Sequence, residues 1–222
     1  MTPEKVTIKR KSNPKMNGWL WVAWIMALGF IGYRLTEKMS PTIIHASEDG
    51  STSLTAYEPT SNYGSVPFFQ LIDQHGETFT QEELLGTVWV VDFVFTTCAG
   101  PCPLMTAQFA DLQDRYSQSK DFRLVSISVN PEFDTPEVLK VYGDQYGADH
   151  SRWAFLTGDR EEIHKLAWEG FHVGTEDDPI FHSLRFILIN RTGKIHGYYI
   201  STEPEELERL RNDVKMLLSE SL

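Results

Sequence analysis

Val88 to Phe95 is a continuous run of apolar and β-branched residues broken by one acid, Asp92. Such a run predicts a strand buried on both faces, in a sheet covered by helices. Immediately downstream, Leu104, Met105, Phe109, Leu112 and Tyr116 recur at helical spacing, which predicts a helix over Pro103 to Tyr116. On the N-terminal side, Val66 to Ile72 reads as a strand, Asp73 to Gly76 as a turn and Glu77 to Phe79 as a return strand. Thr80 and Glu83 have capping-box spacing ahead of a short helix, Gln81 to Leu85, closed by Gly86. Further along come a strand over Phe122 to Val129 and a helix from Pro136 to Tyr146, with Thr135 as its cap and Gly147 as its stop. Trp153 to Leu156 is β-like, Asp159 to Glu169 helical and Phe171 to Thr175 extended. Arg185 to Asn190 and Ile195 to Ile200 form a hairpin. A last helix follows a second capping box, Thr202 with Glu205, and aligns Leu207, Leu210, Val214 and Leu217.

Strands alternating with helices, then a hairpin and a final helix, predict a three-layer α/β domain. The order is similar to that of thioredoxin-like proteins, here with an N-terminal β-hairpin extension and an inserted strand and helix. A different kind of segment precedes it. Gly18 to Tyr33 carries no charge and is rich in tryptophan, the pattern of a membrane-spanning helix with aromatic residues at its edges. Lys5, Lys9, Arg10, Lys11 and Lys15 lie before it, so the positive-inside rule leaves the N-terminus in the cytoplasm. The resulting division is a basic N-terminus (1–17), one N-terminal transmembrane helix (18–35), a polar tether (36–65) and a thioredoxin-like domain (66–222). A cleaved signal peptide fits less well, because the nearest small-residue site, Ile44-His45-Ala46, is far downstream and imperfect. A buried core helix would leave the flanking charges and tryptophans without a purpose.

Charge sharpens that division. Residues 1–46 carry net +5, and the rest carries −16 of the overall −11. A domain so acidic is excluded as a nucleic-acid binder.

The chemistry resides in Cys98 and Cys102, the only two cysteines, placed where the buried strand gives way to a helix. The N–H groups of a helix start stabilise a thiolate there. Thiols four positions apart share one face of a helix start, with Cα atoms about 6 Å apart, which suits a disulfide or two ligands of one metal ion. A purely structural disulfide is a poor use of so short a loop, because its closure gains little entropy. Thioredoxin-type reductants place two residues between their cysteines. The three found here lean toward metal binding, and two thiolates select soft ions, Cu(I) above all. A third donor would come from His45, His75, His150, His164, His172, His182 or His196. His182 stands just before the strand from Arg185, and in a thioredoxin-like fold that stretch faces the cysteine turn.

TTCAGPCP, followed some eighty residues later by a histidine in FHSLRFILIN, resembles the Sco/SenC family of membrane-anchored copper-binding proteins. SISVNPEFDTPEVLKVYGDQYG and RWAFLTGDREEIHKLA extend the resemblance over most of Pro67 to Leu218. It implies a thioredoxin fold and copper, as Cu(I) or Cu(II), held by Cys98, Cys102 and His182. It also implies delivery to the binuclear copper centre of cytochrome c oxidase, with the oxidase's copper-site subunit as partner and another copper chaperone or a thiol reductase upstream. The implied location is the bacterial inner membrane, domain on the periplasmic side, in preference to the mitochondrial inner membrane. The alternative function is a membrane-tethered thiol–disulfide oxidoreductase using Cys98 and Cys102 as a redox-active pair to keep the oxidase's cysteines reduced. A thiol peroxidase would need an arginine close to Cys98, and none lies near it in sequence. This chain departs from the family pattern at Ala99-Gly100, where Pro-Asp is common, and at Phe181, where an acid often precedes the histidine. Its Asn130-Pro131-Glu132-Phe133-Asp134-Thr135 differs from the usual Asp-Pro-x-Arg-Asp-Thr.

Overall fold

The computed structural model describes residues 63–174 and 183–220. The expected basic N-terminus, transmembrane segment and most of the tether lie outside the described residues. Among the described residues, no helix is long and apolar enough to cross a membrane.

The predicted buried strand is the middle of the sheet. This strand, β3 (Val88–Val94), is buried at all seven positions. The hairpin strands β1 (Gln70–Ile72) and β2 (Thr78–Thr80) precede it, followed by a single 3-10 turn at Gln81–Leu84. After β3 come α1 (Cys102–Arg115), β4 (Phe122–Ser128), α2 (Pro136–Gln145), β5 (Trp153–Leu156) and α3 (Arg160–Lys165). The chain closes with β6 (Arg185–Ile189), β7 (Ile195–Ile200) and α4 (Pro204–Ser219). Five strands form one sheet in the order β5-β4-β3-β6-β7. β3 runs parallel to β4 and antiparallel to β6. The C-terminal end of β3 therefore lies beside the start of β6.

Side-chain alternation along β3 sorts the core into two layers. Trp89, Val91 and Phe93 face the hairpin and α3, together with Leu71, Ile163 and Phe171. Val88 and Val90 face α1, α2 and α4, meeting Phe109, Leu139, Leu210 and Val214. The sheet is thus covered on both faces, which is why β3 reads as an unbroken apolar run. Met105, Phe109 and Leu112 anchor α1 on the sheet, each contributing roughly 1.5–3 kcal/mol by burial. That packing sets where α1, and the thiol of its first residue, can lie.

Several boundaries differ from expectation. The first strand begins at Gln70 instead of Val66, because the chain ahead of it pairs elsewhere. Val66 donates its N–H to the Gly193 carbonyl at 2.9 Å, Ser65 bridges to Lys194, and Pro67 has no N–H to continue a ladder. Ser65 and Val66 are thereby paired with the turn between the last two strands of the sheet. The expected helix Asp159 to Glu169 is α3 followed by a π turn at Leu166–Gly170. The wider turn carries Phe171 against Phe93, with ring centroids 5.6 Å apart. His172 is not extended; its φ is 52° and the chain curls back so that Val173 bonds Ala167. The second capping box does not form. Pro204 takes the first helical position, Glu203 becomes the cap, and Glu205 is one position too early to reach back. The Thr135 cap on α2 is present, accepting from the Val138 N–H, and Gly147 ends the segment at φ 69°.

Candidate metal centre

Beyond Val94 the chain turns sharply. Cys98 closes the turn by donating its N–H to the Phe95 carbonyl at 3.2 Å. The helix was expected from Pro103, but Cys102 is its first residue, preceded by Pro101 in helical geometry. Cys98 therefore sits ahead of the helix and Cys102 in its opening turn. Both are free thiols, 8% and 5% exposed, and they pack with Val94 and Phe95.

The two sulfurs hydrogen-bond each other, and the pair is asymmetric. Burial pushes the Cys98 thiol up. Hydrogen bonds from the Cys102 thiol and from the N–H groups of Cys102 and Gly100 outweigh it and hold Cys98 below the usual thiol value. The Gly100 N–H lies 3.4 Å from the Cys98 sulfur. Burial pushes Cys102 up to about 12, helped by its bond to Cys98 and by the nearby charges of Cys98 and Asp92. Cys98 is the thiol that ionises first, and Cys102 holds its proton. The Cys102 carbonyl accepts from the Thr106 hydroxyl at 2.9 Å, and that hydroxyl meets the Tyr142 hydroxyl at 2.7 Å. The helix start is thereby tied to α2.

Two buried acids flank the pair. Asp92, in β3, is sealed from solvent, and neither carboxylate oxygen has a hydrogen-bond partner. Burial pushes its pKa up to about 7, and the nearby Ser126 hydroxyl offsets this only in part. Asp134, in the loop between β4 and α2, is equally buried but accepts three bonds. Thr96 N–H and Thr96 Oγ1 lie 3.1 and 2.5 Å from it, and Ser128 Oγ lies 2.6 Å away. Asp92 announced itself in sequence as the one polar residue of an apolar strand. The part played by Asp134 did not, because its partner Thr96 is 38 positions away.

The structure thus brings Cys98 and Cys102 together. His182, the expected third donor, lies outside the described residues, as does His45. His150 bonds Asp144 at 2.8 Å and packs its ring on His75. His164 lies in α3, His172 is exposed after the π turn, and His196 sits 3.9 Å from Asp213. Among the described residues, no group of three or more His, Cys, Asp or Glu is placed to hold a metal ion. Two adjoining, nearly buried sulfur donors fit a soft ion and do not fit a hard one that requires several oxygens.

A family model described as SCO1/SenC matches residues 58–219. The SCO1 protein homolog of Bacillus subtilis (strain 168) is 36% identical over 161 residues, which cover 69% of this chain and 82% of the relative. Among solved structures, BsSco is described as a member of the Sco family of cytochrome c oxidase assembly proteins in which a disulfide switch was identified. It is 34% identical, with 71% of this chain and 95% of that chain covered and a TM-score of 0.61. Bradyrhizobium japonicum ScoI, solved with copper bound, is 25% identical, with 69% and 99% covered and a TM-score of 0.58.

Proposed function

Because the chain belongs to the SCO1/SenC family, we propose that it is a membrane-anchored copper metallochaperone that helps to assemble the binuclear copper centre of cytochrome c oxidase. Cys98, Cys102 and His182 hold the metal, residues 18–35 anchor the chain, and the domain works on the periplasmic side of a bacterial inner membrane. The copper-site subunit of the oxidase is the recipient. The observation that carries this reading is the pair of free thiols in mutual contact at the start of α1. Copper, when bound, supplies the cargo, a soft cation that thiolates prefer. Cys98 is the more readily ionised of the two thiols, steadied by the Gly100 N–H. Cys102 must give up its proton for both sulfurs to act as donors, so loading releases protons and weakens in acid.

The asymmetry of the pair also supports a second reading, a thiol–disulfide oxidoreductase acting on the recipient's cysteines. The Cys98 thiolate attacks one sulfur of the partner's disulfide, that S–S bond breaks, and the partner's other sulfur leaves as a thiolate. Cys102, once deprotonated, attacks the Cys98 sulfur of the mixed disulfide and releases the partner's first sulfur. Two electrons pass to the partner, and Cys98 and Cys102 are left joined.

Anaerobic copper titration of the reduced full-length chain in detergent tests the first reading. One copper per chain is expected, with affinity lowered by more than about 100-fold in Cys102→Ser. His182→Ala should weaken Cu(II) more than Cu(I), because two thiolates alone can hold Cu(I). Equal copper retention in wild type and Cys102→Ser would remove the chaperone reading. Normal oxidase assembly in His182→Ala cells, with loss in both cysteine variants, would favour the reductase.

A further inference from the structure

We infer that Asp134 is a positioning residue for the thiol pair, holding the turn that carries Cys98 by clamping Thr96 through both of its donors. The inference deepens the reading of Cys98 and Cys102 as the working site and rests on it. Thr96 lies two residues beyond the end of β3 and is separated from Cys98 by Thr97 alone. Its N–H and its hydroxyl both end on the Asp134 carboxylate, at 3.1 and 2.5 Å. Two bonds from one residue to one carboxylate fix both its backbone and its side chain. The adjoining bond from Cys98 N–H to the Phe95 carbonyl then leaves the turn little freedom. The Cys98 sulfur is placed through that turn.

A clamp must be anchored, and Asp134 is. Its own N–H bonds the Asn130 carbonyl at 2.9 Å, and the Phe133 N–H bonds the same carbonyl at 3.0 Å. The Ser128 hydroxyl, at the end of β4, donates to Asp134 at 2.6 Å and accepts from the Asn130 N–H at 3.0 Å. Val129 N–H extends the parallel ladder to the Val94 carbonyl at 2.9 Å. Thr135, the next residue, caps α2. The loop from β4 to α2 is therefore a rigid bracket lying across the end of β3. All three donors to the carboxylate are neutral, one N–H and two hydroxyls. One carboxylate oxygen takes the Thr96 N–H and the Ser128 hydroxyl, and the other takes the Thr96 hydroxyl, so all three donors are satisfied at once in a buried place.

The consequence is physical and general. Holding two thiols in fixed proximity raises their effective concentration toward each other. That raises both the tendency to close a disulfide and the affinity with which both can hold one ion. Loosening the turn should lower both together. It should do so whether or not copper is the natural cargo.

The test uses the full-length chain in detergent and two equilibria. One is disulfide formation between Cys98 and Cys102 in glutathione buffers; the other is Cu(I) affinity by competition with a chromophoric chelator. In Asp134→Ala both constants should fall about tenfold, and by similar factors. In Asp134→Asn both should stay within about threefold, because the amide oxygen can accept from Thr96 N–H and Ser128 while the amide N–H donates to a reoriented Thr96 hydroxyl. Thr96→Val removes one of the two clamping bonds and should lie between them. It also serves if Asp134→Ala does not fold, with near-UV circular dichroism reporting folding. An unchanged glutathione equilibrium in folded Asp134→Ala or Thr96→Val overturns the inference. Equal losses in Asp134→Ala and Asp134→Asn would make charge, and not positioning, the agent, and overturn it as well. Failure of the wild type to bind copper would count against the copper reading alone, since the glutathione arm does not involve metal.

Discussion

Asp92 and Asp134 are both closed off from water, one in the floor beneath the thiol pair and the other in the bracket beside it. They meet opposite circumstances. Asp92 sits within the central strand, where every backbone donor nearby is committed to the ladder, and neither of its oxygens has a partner. Asp134 sits where a strand end, a turn and a loop converge, and it accepts from all of them. Burial alone does not decide what an acid does. A strand interior offers no spare backbone donors, and the one hydroxyl facing Asp92, that of Ser126, offsets its burial only in part, whereas a junction of loops offers several donors. The floor therefore holds an acid that resists ionisation, and the bracket holds one whose oxygens fasten the neighbouring turn.

The largest test of that contrast is Asp92→Asn, followed by urea unfolding across pH. The folded value for Asp92 is about 7 against an ordinary 3.8, so the folded state keeps its proton where the unfolded chain has lost it. Wild-type stability from this group should fall as pH rises from about 4 to about 7 and level off above. Asn mimics the protonated acid at every pH. The variant should match wild type at about pH 4 and exceed it by roughly 4 kcal/mol at about pH 8. Parallel pH curves for the two proteins would mean that Asp92 is not the resisting acid.

A smaller effect of opposite sign is expected in the bracket. Ser128→Ala takes one donor from Asp134 and the acceptor from Asn130 N–H. It should cost about 1–3 kcal/mol at about pH 7 in the same unfolding experiment. A loss indistinguishable from zero would erase the distinction between a fastened acid and an isolated one. The smallest expected effect links the floor to the thiols. The charge of Asp92 is the last of the influences that raise Cys102, behind burial and the bond to Cys98. In Asp92→Asn, the pH midpoint for alkylation of Cys102 in a Cys98→Ser background should move down by less than about one pH unit. A rise would contradict the electrostatic account.

The central strand, the two thiols at its end, the α2 cap and the closing hairpin all follow from patterns within a dozen residues. They are governed by burial periodicity, by proline and glycine backbone limits and by the spacing of like residues. Asp92 was visible for the same reason, as a polar break in an apolar run. What the chain could not reveal locally was decided by residues far apart in it. Val66 leaves the first strand to bond Gly193, and Pro204 displaces the expected cap of α4 by one position. The inequality of Cys98 and Cys102 depends on which sulfur the packed helix start buries more and on which N–H groups point at the other. The bond from Thr96 to Asp134 spans 38 positions and exists only because β4 lies parallel to β3 and returns its following loop over the strand's end. Periodicity encodes which face of an element is buried, and so the amino-acid sequence determined the layers and the thiol pair. Hydrogen bonds between loops depend on where whole elements come to rest, and so only the tertiary structure decided how that pair is held.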